Sequence, residues 1–310
     1  MTFDALLDDA AIFPPGNLPL AEAVQAHLAH GVADHAGLVG PLVVALADLP
    51  ALAETTADLP AGTLALSVTV PSPAAAGEAL DGARRVRAAR LVGLEVAVPE
   101  GVAATDVVPT LDAGLRAAAG VSVWVELPRD DRREPLLAEL AGTSYAAKLR
   151  TGGVRADLHP DEDELAAAIV AIVRAGVPFK ATAGLHQAVR NTAADTGFEQ
   201  HGFLNLLAAT DAALGGADEA QVRAWLAERD ADRLAARVAE LSPAARETFR
   251  SFGTCSIAEP VEELAALGLL PPSVEEAAHP LVEEAGHSVG RGGRPRPSRD
   301  PRNPHAELTR

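Results

Sequence analysis

The residues best able to do chemistry in this sequence are its two lysines, Lys148 and Lys180, which lie in successive short apolar runs. The other 24 of the 26 Lys and Arg residues are arginine. Alternation along a strand places Lys148 on one face with Ala146 and Arg150, and Lys180 on one face with Thr182. Arginine does not lose its proton in proteins, so it cannot supply the neutral amine that lysine can. A lysine kept in an arginine-rich chain therefore indicates a role that arginine cannot fill.

Two carboxylates, Glu95 and Glu126, occupy inward-facing positions in the two preceding apolar runs. Four successive strands can therefore bring four ionisable groups together. Burial and a neighbouring cation both lower the pKa of a lysine from ~10.4 toward ~7–8, where its amine is nucleophilic. Such an amine attacks a carbonyl to form a Schiff base, and a nearby carboxylate can move the protons. In the alternative interpretation, the lysines form inward Lys–Glu ion pairs that serve only packing.

The elements that must position these residues alternate along the chain. Eight short apolar runs are predicted as strands, at residues 8–13, 42–47, 64–70, 91–98, 121–127, 145–150, 178–184 and 252–258. Helical patterns lie at residues 18–30, 74–86, 106–119, 134–140, 162–175, 202–214, 218–240 and 261–268. Eight β/α units in about 270 residues predict an α/β protein with a (β/α)8 TIM barrel. An open doubly wound sheet is less favoured, because the first turn contains no G-x-G-x-x-G.

Small residues lie at or near the ends of the last three predicted strands. Thr151 and Gly152 follow the sixth, Gly184 ends the seventh, and Gly253 and Ser256 lie in the eighth. Glycine lets backbone N–H groups approach an anion, and the loops after strands 7 and 8 are the common phosphate site of such barrels. We predict that these five residues bind substrate, although glycine after a strand is also ordinary turn chemistry.

Further side chains are candidates for substrate binding. Asp8 and Asp9 end the first strand and either face the pocket or cap a turn, and Asp9 is the one assigned to substrate. Arg150 either clamps an anionic group or forms an internal salt bridge. His186 begins the long loop at 186–205, whose role the sequence does not define, and such loops form pocket rims. Cys255 has no evident histidine partner, so we expect a small packed residue there rather than a nucleophile.

Three segments resemble deoxyribose-phosphate aldolase and related class I (Schiff-base) aldolases. They are KLRTGG at 148–153, FKATAGLH at 179–186 and FGTCS at 252–256. The resemblance implies that Lys148 forms the Schiff base and that Lys180 is the second lysine that activates it. It also implies that Glu95 relays protons and that Glu126 occupies an acidic position at the end of the next strand. By the same resemblance, Gly253 and Ser256 help to hold the substrate phosphate.

Four positions differ from the pattern of that family. Glu95 stands where the family has Asp, Ala183 replaces the first Gly of K-x-x-G-G, His186 stands where Arg is usual, and Cys255 replaces Ser. These changes touch the phosphate end, so the chemistry can be shared while the substrate differs. The first half of the chain, including DDAAIFPPGNLP at 8–19, is more similar to a bacterial branch of barrel proteins whose reaction is unassigned.

Composition narrows the classes of function. A net charge of −17 argues against nucleic acid and anionic membranes as partners. The single cysteine excludes a disulfide framework, and no H-x-H or H-E-x-x-H spacing indicates a metal site. The chain begins without a signal-peptide pattern, and no apolar run reaches the ~18 residues of a membrane span, so we expect a cytoplasmic protein.

The predicted organisation is a catalytic barrel domain over residues 1–278 and a disordered tail, rich in Arg, Pro and Gly, over 279–310. The predicted function is a carbon–carbon lyase that acts on a small-molecule carbonyl substrate, phosphorylated or not, without a dissociable cofactor. Two alternatives remain open: an isomerase that uses the lysines as acid/base or electrostatic groups, and a non-catalytic barrel that binds a metabolite. Barrels often form homo-oligomers, but no interface can be read in this sequence.

Overall fold

Eight parallel strands close into a barrel in the computed structural model of the protein, which describes residues 3–116, 118 and 120–270. The barrel strands are β1 (Leu7–Asp9), β2 (Val39–Ala45), β3 (Leu64–Val70), β4 (Ala89–Val96), β5 (Ser122–Glu126), β6 (Ala146–Arg150), β7 (Phe179–Thr182) and β10 (Phe249–Thr254). The last strand closes the ring by pairing with both β7 and β1. In the loop after β7, two short strands, β8 (Asn191–Thr192) and β9 (Glu199–Gln200), form a small antiparallel hairpin. The predicted (β/α)8 TIM barrel is confirmed.

Helices follow each barrel strand, as the βα alternation requires. They are α1 (Leu20–His30), α2 (Leu49–Thr55), α3 (Ala76–Arg85), α4 (Ala104–Gly114), α5 (Arg133–Leu140), α6 (Glu162–Ala175), α7 (Phe203–Leu214), α8 (Glu219–Leu226), α9 (Ala231–Ala239), α10 (Pro243–Thr248) and α11 (Ala258–Ala266). The single helix predicted at 218–240 is two helices, α8 and α9. The chain breaks there because Asp230 caps α9, accepting a bond from the amide of Arg233 over 3.1 Å.

The hydrophobic core lies between the strands and the surrounding helices. Outward-facing strand residues such as Val68, Leu94 and Val125 are fully buried. With few aromatic residues in the chain, Leu, Val and Ala supply most of the buried apolar surface that stabilises the fold. The same alternation turns the intervening residues of each strand toward the barrel axis, and several of those are charged.

The first and last strands differ from the predicted ranges. β1 ends at Asp9, because the amide of Phe13 donates to the carbonyl of Ala10 over 2.9 Å and closes a turn. β10 begins and ends earlier than predicted. Ser256 lies in the turn between β10 and α11, and its hydroxyl accepts a bond from the amide of Glu259 in the first turn of α11 over 3.3 Å.

The end of the chain lies outside the described residues. This applies to the predicted disordered tail at 279–310 and to the last residues of the predicted barrel domain, up to 278. Within the ranges given above, no helix has both the length and the apolar character needed to cross a membrane.

Candidate active site

A layer of charged side chains fills the inside of the barrel. In the registers of the sheet, Lys148 on β6 is paired with Glu126 on β5 and with Lys180 on β7. Residues paired in register point to the same face, so all three side chains enter the barrel. Glu95 on β4 and Asp8 on β1 complete the layer, and both are buried. Five strands thus bring together two ammonium groups and three carboxylates.

Glu95 links the two lysines. Its Oε1 lies 2.6 Å from Nζ of Lys180, and its Oε2 lies 3.3 Å from Nζ of Lys148. The hydroxyl of Ser67 donates to Oε1 over 3.0 Å. Burial by itself would raise the pKa of the Glu95 carboxyl group, but Lys180, Lys148 and the Ser67 hydroxyl together lower the pKa to about 2. Glu95 is therefore ionised at neutral pH.

Lys180 is almost completely buried, with 1% of its surface exposed. Its amine donates to Asp8 and to Glu95, and the Asp8 carboxylate also accepts a bond from the hydroxyl of Ser251 over 2.7 Å. Burial would lower the pKa of Lys180, but the charges of Asp8 and Glu95 raise that pKa above its ordinary value. The expectation that burial lowers a lysine pKa is therefore wrong for Lys180, which remains a cation.

Lys148 faces the cavity at the carboxyl ends of the strands. This cavity has a volume of about 770 Å³, and Lys148 lines it together with Glu95 and Glu126, whereas Lys180 does not line it. Nζ of Lys148 lies 3.2 Å from Oε2 of Glu126, and Oε1 of the same carboxylate accepts a bond from Nε of Arg150 over 3.0 Å. Burial opposes the ionisation of Glu126, but the charges of Lys148 and Arg150 outweigh it and lower the pKa of this carboxyl group.

Most of the predicted site residues line this cavity. They are Glu95, Glu126, Lys148, Arg150, Gly184, His186 and Gly253. The wall also has an apolar part that was not predicted from the sequence, formed by Phe13, Val43, Leu46, Val70, Val154 and Leu158. Lys180 contacts this set through Glu95.

Asp9, one of the predicted substrate-binding residues, does not line the cavity. Its carboxylate turns toward α1, where Oδ2 lies 3.0 Å from Nδ1 of His27. Its other oxygen accepts a bond from the amide of Ala11 over 3.3 Å. Contrary to the expectation from the sequence, Asp9 is therefore not placed to contact a substrate. Its contacts support the alternative, a role in the turn after β1.

Three more predicted substrate-binding residues lie behind the cavity wall. Thr151 donates to the carbonyl of Ala183 over 2.6 Å and so joins the loops after β6 and β7. Gly152 packs directly on Gly184. The hydroxyl of Ser256 accepts a bond at the start of α11. Each of these residues supports a loop of the site, and none of the three lines the cavity.

Two polar residues of the charged layer, Ser67 and Ser251, were not predicted, and of the two neighbouring acids it is Asp8 that faces the layer. The sequence places Asp8 and Asp9 side by side at one strand end, and alternation requires only that one of the two face inward. The choice comes from barrel closure, which pairs Asp8 in register with Gly253 on β10. Gly40 on β2 leaves the space that the Asp8 carboxylate occupies, since a Cβ there would collide with it.

Cys255 has a histidine neighbour, so the expectation that it lacks one is wrong. Its Sγ lies 3.6 Å from Nε2 of His186, and Nδ1 of His186 lies 3.1 Å from Oε2 of Glu259. Burial raises the pKa of the Cys255 thiol, which disfavours the thiolate that a nucleophile requires. Among the described residues, no three His, Cys, Asp or Glu side chains are grouped so that they could hold a metal ion.

Gly184 is a position where a side chain is expected to destabilise the protein. Its φ is +75°, and an added Cβ would lie 3.0 Å from Cα of Gly152. We expect Gly184→Ala to lower the free energy of unfolding by about 1–3 kcal/mol, measured by urea denaturation. The matched control is Gly142→Ala, where an added Cβ meets nothing within 4 Å. Equal stability of the two variants would contradict this account of the loop contact.

The chain matches no protein-family model and none of the curated proteins. Among solved structures, it is similar to the tetrameric deoxyribose phosphate aldolase from Aeropyrum pernix. The TM-score is 0.49 and the sequence identity is 15%, over 86% of this chain and 92% of that chain. At this level of identity, the likeness concerns the fold alone.

Proposed function

We propose that the protein is an aldolase-like lyase that forms a Schiff base between Lys148 and a small carbonyl substrate. The observation that supports this most directly is the position of Lys148, a buried amine in the wall of the cavity that lies within 3.3 Å of two carboxylates. A carbonyl carbon held in the cavity can approach Nζ of Lys148. Glu95 and Glu126 are close enough to exchange protons with this amine.

In the proposed reaction, the Lys148 ammonium passes a proton to Glu126 or Glu95, and its nitrogen attacks the carbonyl carbon of the substrate. The carbinolamine is protonated on oxygen and loses water, which leaves a positively charged iminium. The bond between the α and β carbons then breaks, and its electron pair moves toward the iminium to give an enamine. The β-hydroxyl loses its proton to a carboxylate as it becomes the first aldehyde product. Protonation of the enamine and addition of water release the second product and restore Lys148.

The charges around Lys148 suit this sequence of intermediates. The iminium carries the same positive charge as the ammonium, so ionised Glu95 and Glu126 stabilise both. Lys180 neutralises Oε1 of Glu95 and leaves Oε2 toward Lys148. We assign Lys180 a positioning role, because it acts through Glu95 and does not line the cavity.

One observation favours a second candidate function, an isomerase. The two carboxylates beside Lys148 stabilise its ammonium form, which suits the donation of a proton or the stabilisation of a developing enolate. Such an enzyme needs Lys148 for turnover but forms no covalent adduct with its substrate. Trapping of an adduct therefore separates the two candidates.

Borohydride reduction in the presence of acetaldehyde is expected to attach one ethyl group to Lys148. The chain holds two lysines, so peptide mapping by mass spectrometry can assign the label, and Lys180 is an internal control. We expect label on Lys148 and none on Lys180, since only Lys148 lines the cavity. Reduction without aldehyde gives the background. A label on Lys180 in place of Lys148, or no label on either lysine, would contradict the proposal.

A further inference from the structure

We infer that the substrate of this site is an uncharged carbonyl compound with an apolar tail, and not a phosphate ester. The inference rests on the proposed function, because it takes the reacting carbonyl to lie at Lys148. Three features of the cavity carry it: a closed glycine loop, a wall whose positive charges are already paired, and an apolar surface opposite Lys148.

The glycine loop after β6 is filled by protein atoms on the side of Gly152. At Gly152, an added Cβ would lie 2.9 Å from Cε1 of His159 and 3.0 Å from Cα of Gly184. Nε2 of His159 also lies 2.9 Å from the carbonyl oxygen of Gly153. The imidazole ring thus fills the space beside Gly152, so an anion cannot use that space.

The permanent charges of the cavity wall do not favour a dianion. The wall holds three carboxylates, Glu78, Glu95 and Glu126, and two cations, Lys148 and Arg150. Lys148 is paired with Glu95 and Glu126, and Arg150 is paired with Glu126. A phosphate group would have to displace these contacts and would meet a wall with an excess of negative charge.

The imidazole of His186, on the cavity wall, also has protein partners. Nδ1 of His186 lies 3.1 Å from the Glu259 carboxylate. Its Nε2 lies 3.6 Å from Sγ of Cys255. Both ring nitrogens of His186 thus have protein neighbours, so this residue offers little to an anionic ligand.

An apolar surface lies across the barrel from Lys148. Since the strand order is circular, β2 stands opposite β6. Val43 in β2, Leu46 after it and Val70 at the end of β3 line the cavity on that side. On the other side of the cavity, in the loop that follows the strand of Lys148, Val154 also lines it and is 66% exposed. A substrate tail that lies along these residues would remove apolar surface from water, which favours binding.

Four aldehydes test the inference with the wild-type protein: acetaldehyde, hexanal, glycolaldehyde and glycolaldehyde phosphate. The measurement is the aldehyde concentration that gives half-maximal borohydride labelling of Lys148. Each buried methylene contributes about a fourfold gain in affinity, so hexanal should half-saturate at least about tenfold below acetaldehyde. Glycolaldehyde phosphate should half-saturate no lower than glycolaldehyde.

The outcomes separate this inference from the proposed function. If acetaldehyde labels Lys148 but hexanal is no better, or if the phosphate ester binds more tightly than its alcohol, the inference is overturned and the proposed function stands. If none of the four aldehydes labels Lys148, the proposed function fails and the inference fails with it.

An isosteric variant locates the tail. Val154→Thr replaces a methyl group by a hydroxyl at an exposed position, so the fold should not change. We expect a roughly threefold rise in the half-saturating concentration of hexanal and a smaller rise for acetaldehyde, which has only one methyl group to bury. Val32→Thr, at a valine that is 87% exposed and does not line the cavity, is the matched control. Equal hexanal labelling of the two variants would refute contact between the tail and Val154.

Discussion

We expect replacement of Lys148 by arginine to reduce the proposed aldol cleavage by at least about 10³-fold. Arginine keeps a positive charge between Glu95 and Glu126, so the ion pairs that hold the site can persist. It cannot supply the neutral nitrogen that attacks a carbonyl. The rate can be measured with 3-hydroxybutanal, which is cleaved to two molecules of acetaldehyde, by coupling the product to NADH oxidation with alcohol dehydrogenase.

Two further variants make this result interpretable. Lys148→Met removes the amine and its charge, and we expect the same loss of rate. Arg223→Ala removes an exposed ion pair with Asp163 on the surface, and we expect a rate close to that of the wild type. Urea denaturation of each variant separates a loss of chemistry from a loss of fold. A folded Lys148→Arg protein that keeps more than about a tenth of the wild-type rate would exclude Lys148 as the nucleophile.

The barrel could be predicted because buried parallel strands appear in the sequence as short apolar runs between helical patterns. β1 shows where that signal is weak. This strand has three residues, Leu7, Asp8 and Asp9, and two of them are acids. The apolar run that predicted it continues into the turn that follows, so the predicted strand extended too far along the chain.

The inward direction of Lys148, Glu95 and Glu126 could be predicted because alternation within one strand is a local property. The choice between Asp8 and Asp9 could not, because it depends on how β1 pairs with β10 across the closure of the barrel. The pKa of Lys180 depends on the same tertiary contact. From the sequence alone, only burial can be inferred for Lys180, and burial lowers the pKa of its amine. The contacts with Asp8 and Glu95, which the fold creates, raise that pKa instead.

The two lysines occupy one register row but have different surroundings, and this difference separates their proposed roles. Lys180 contacts Asp8 and Glu95 beneath the cavity, whereas Lys148 lies in the cavity wall. Buried charges are tolerated only when they are paired, so the removal of one carboxylate leaves an uncompensated cation. Glu95, which is shared by both lysines, is the carboxylate whose removal should have the largest effect.

Glu95→Gln will lower the free energy of unfolding at pH 7 by about 3 kcal/mol. The Glu95 carboxyl group has an ordinary pKa of 4.5, which applies to the unfolded chain, and a pKa of about 2 in the folded protein. This difference measures how strongly the fold prefers the ionised form. The amide of glutamine is neutral, so Lys148 and Lys180 lose the negative charge that they share.

The pH dependence of this effect has a definite sign. Between pH 4.5 and about 2, the unfolded chain binds a proton at Glu95 and the folded protein does not, so a fall in pH favours unfolding. The stability that Glu95 contributes is therefore complete above pH 4.5 and is lost as the pH falls toward 2. Urea denaturation of the wild type and of Glu95→Gln should give curves whose difference is constant near neutrality and shrinks below pH 4.5. Glu78→Gln removes an equal charge at an exposed position of the cavity rim, and it should show neither the loss at pH 7 nor this convergence. A difference between the wild type and Glu95→Gln that stays the same or grows as the pH falls would mean that Glu95 is not the shared counter-charge of the two lysines.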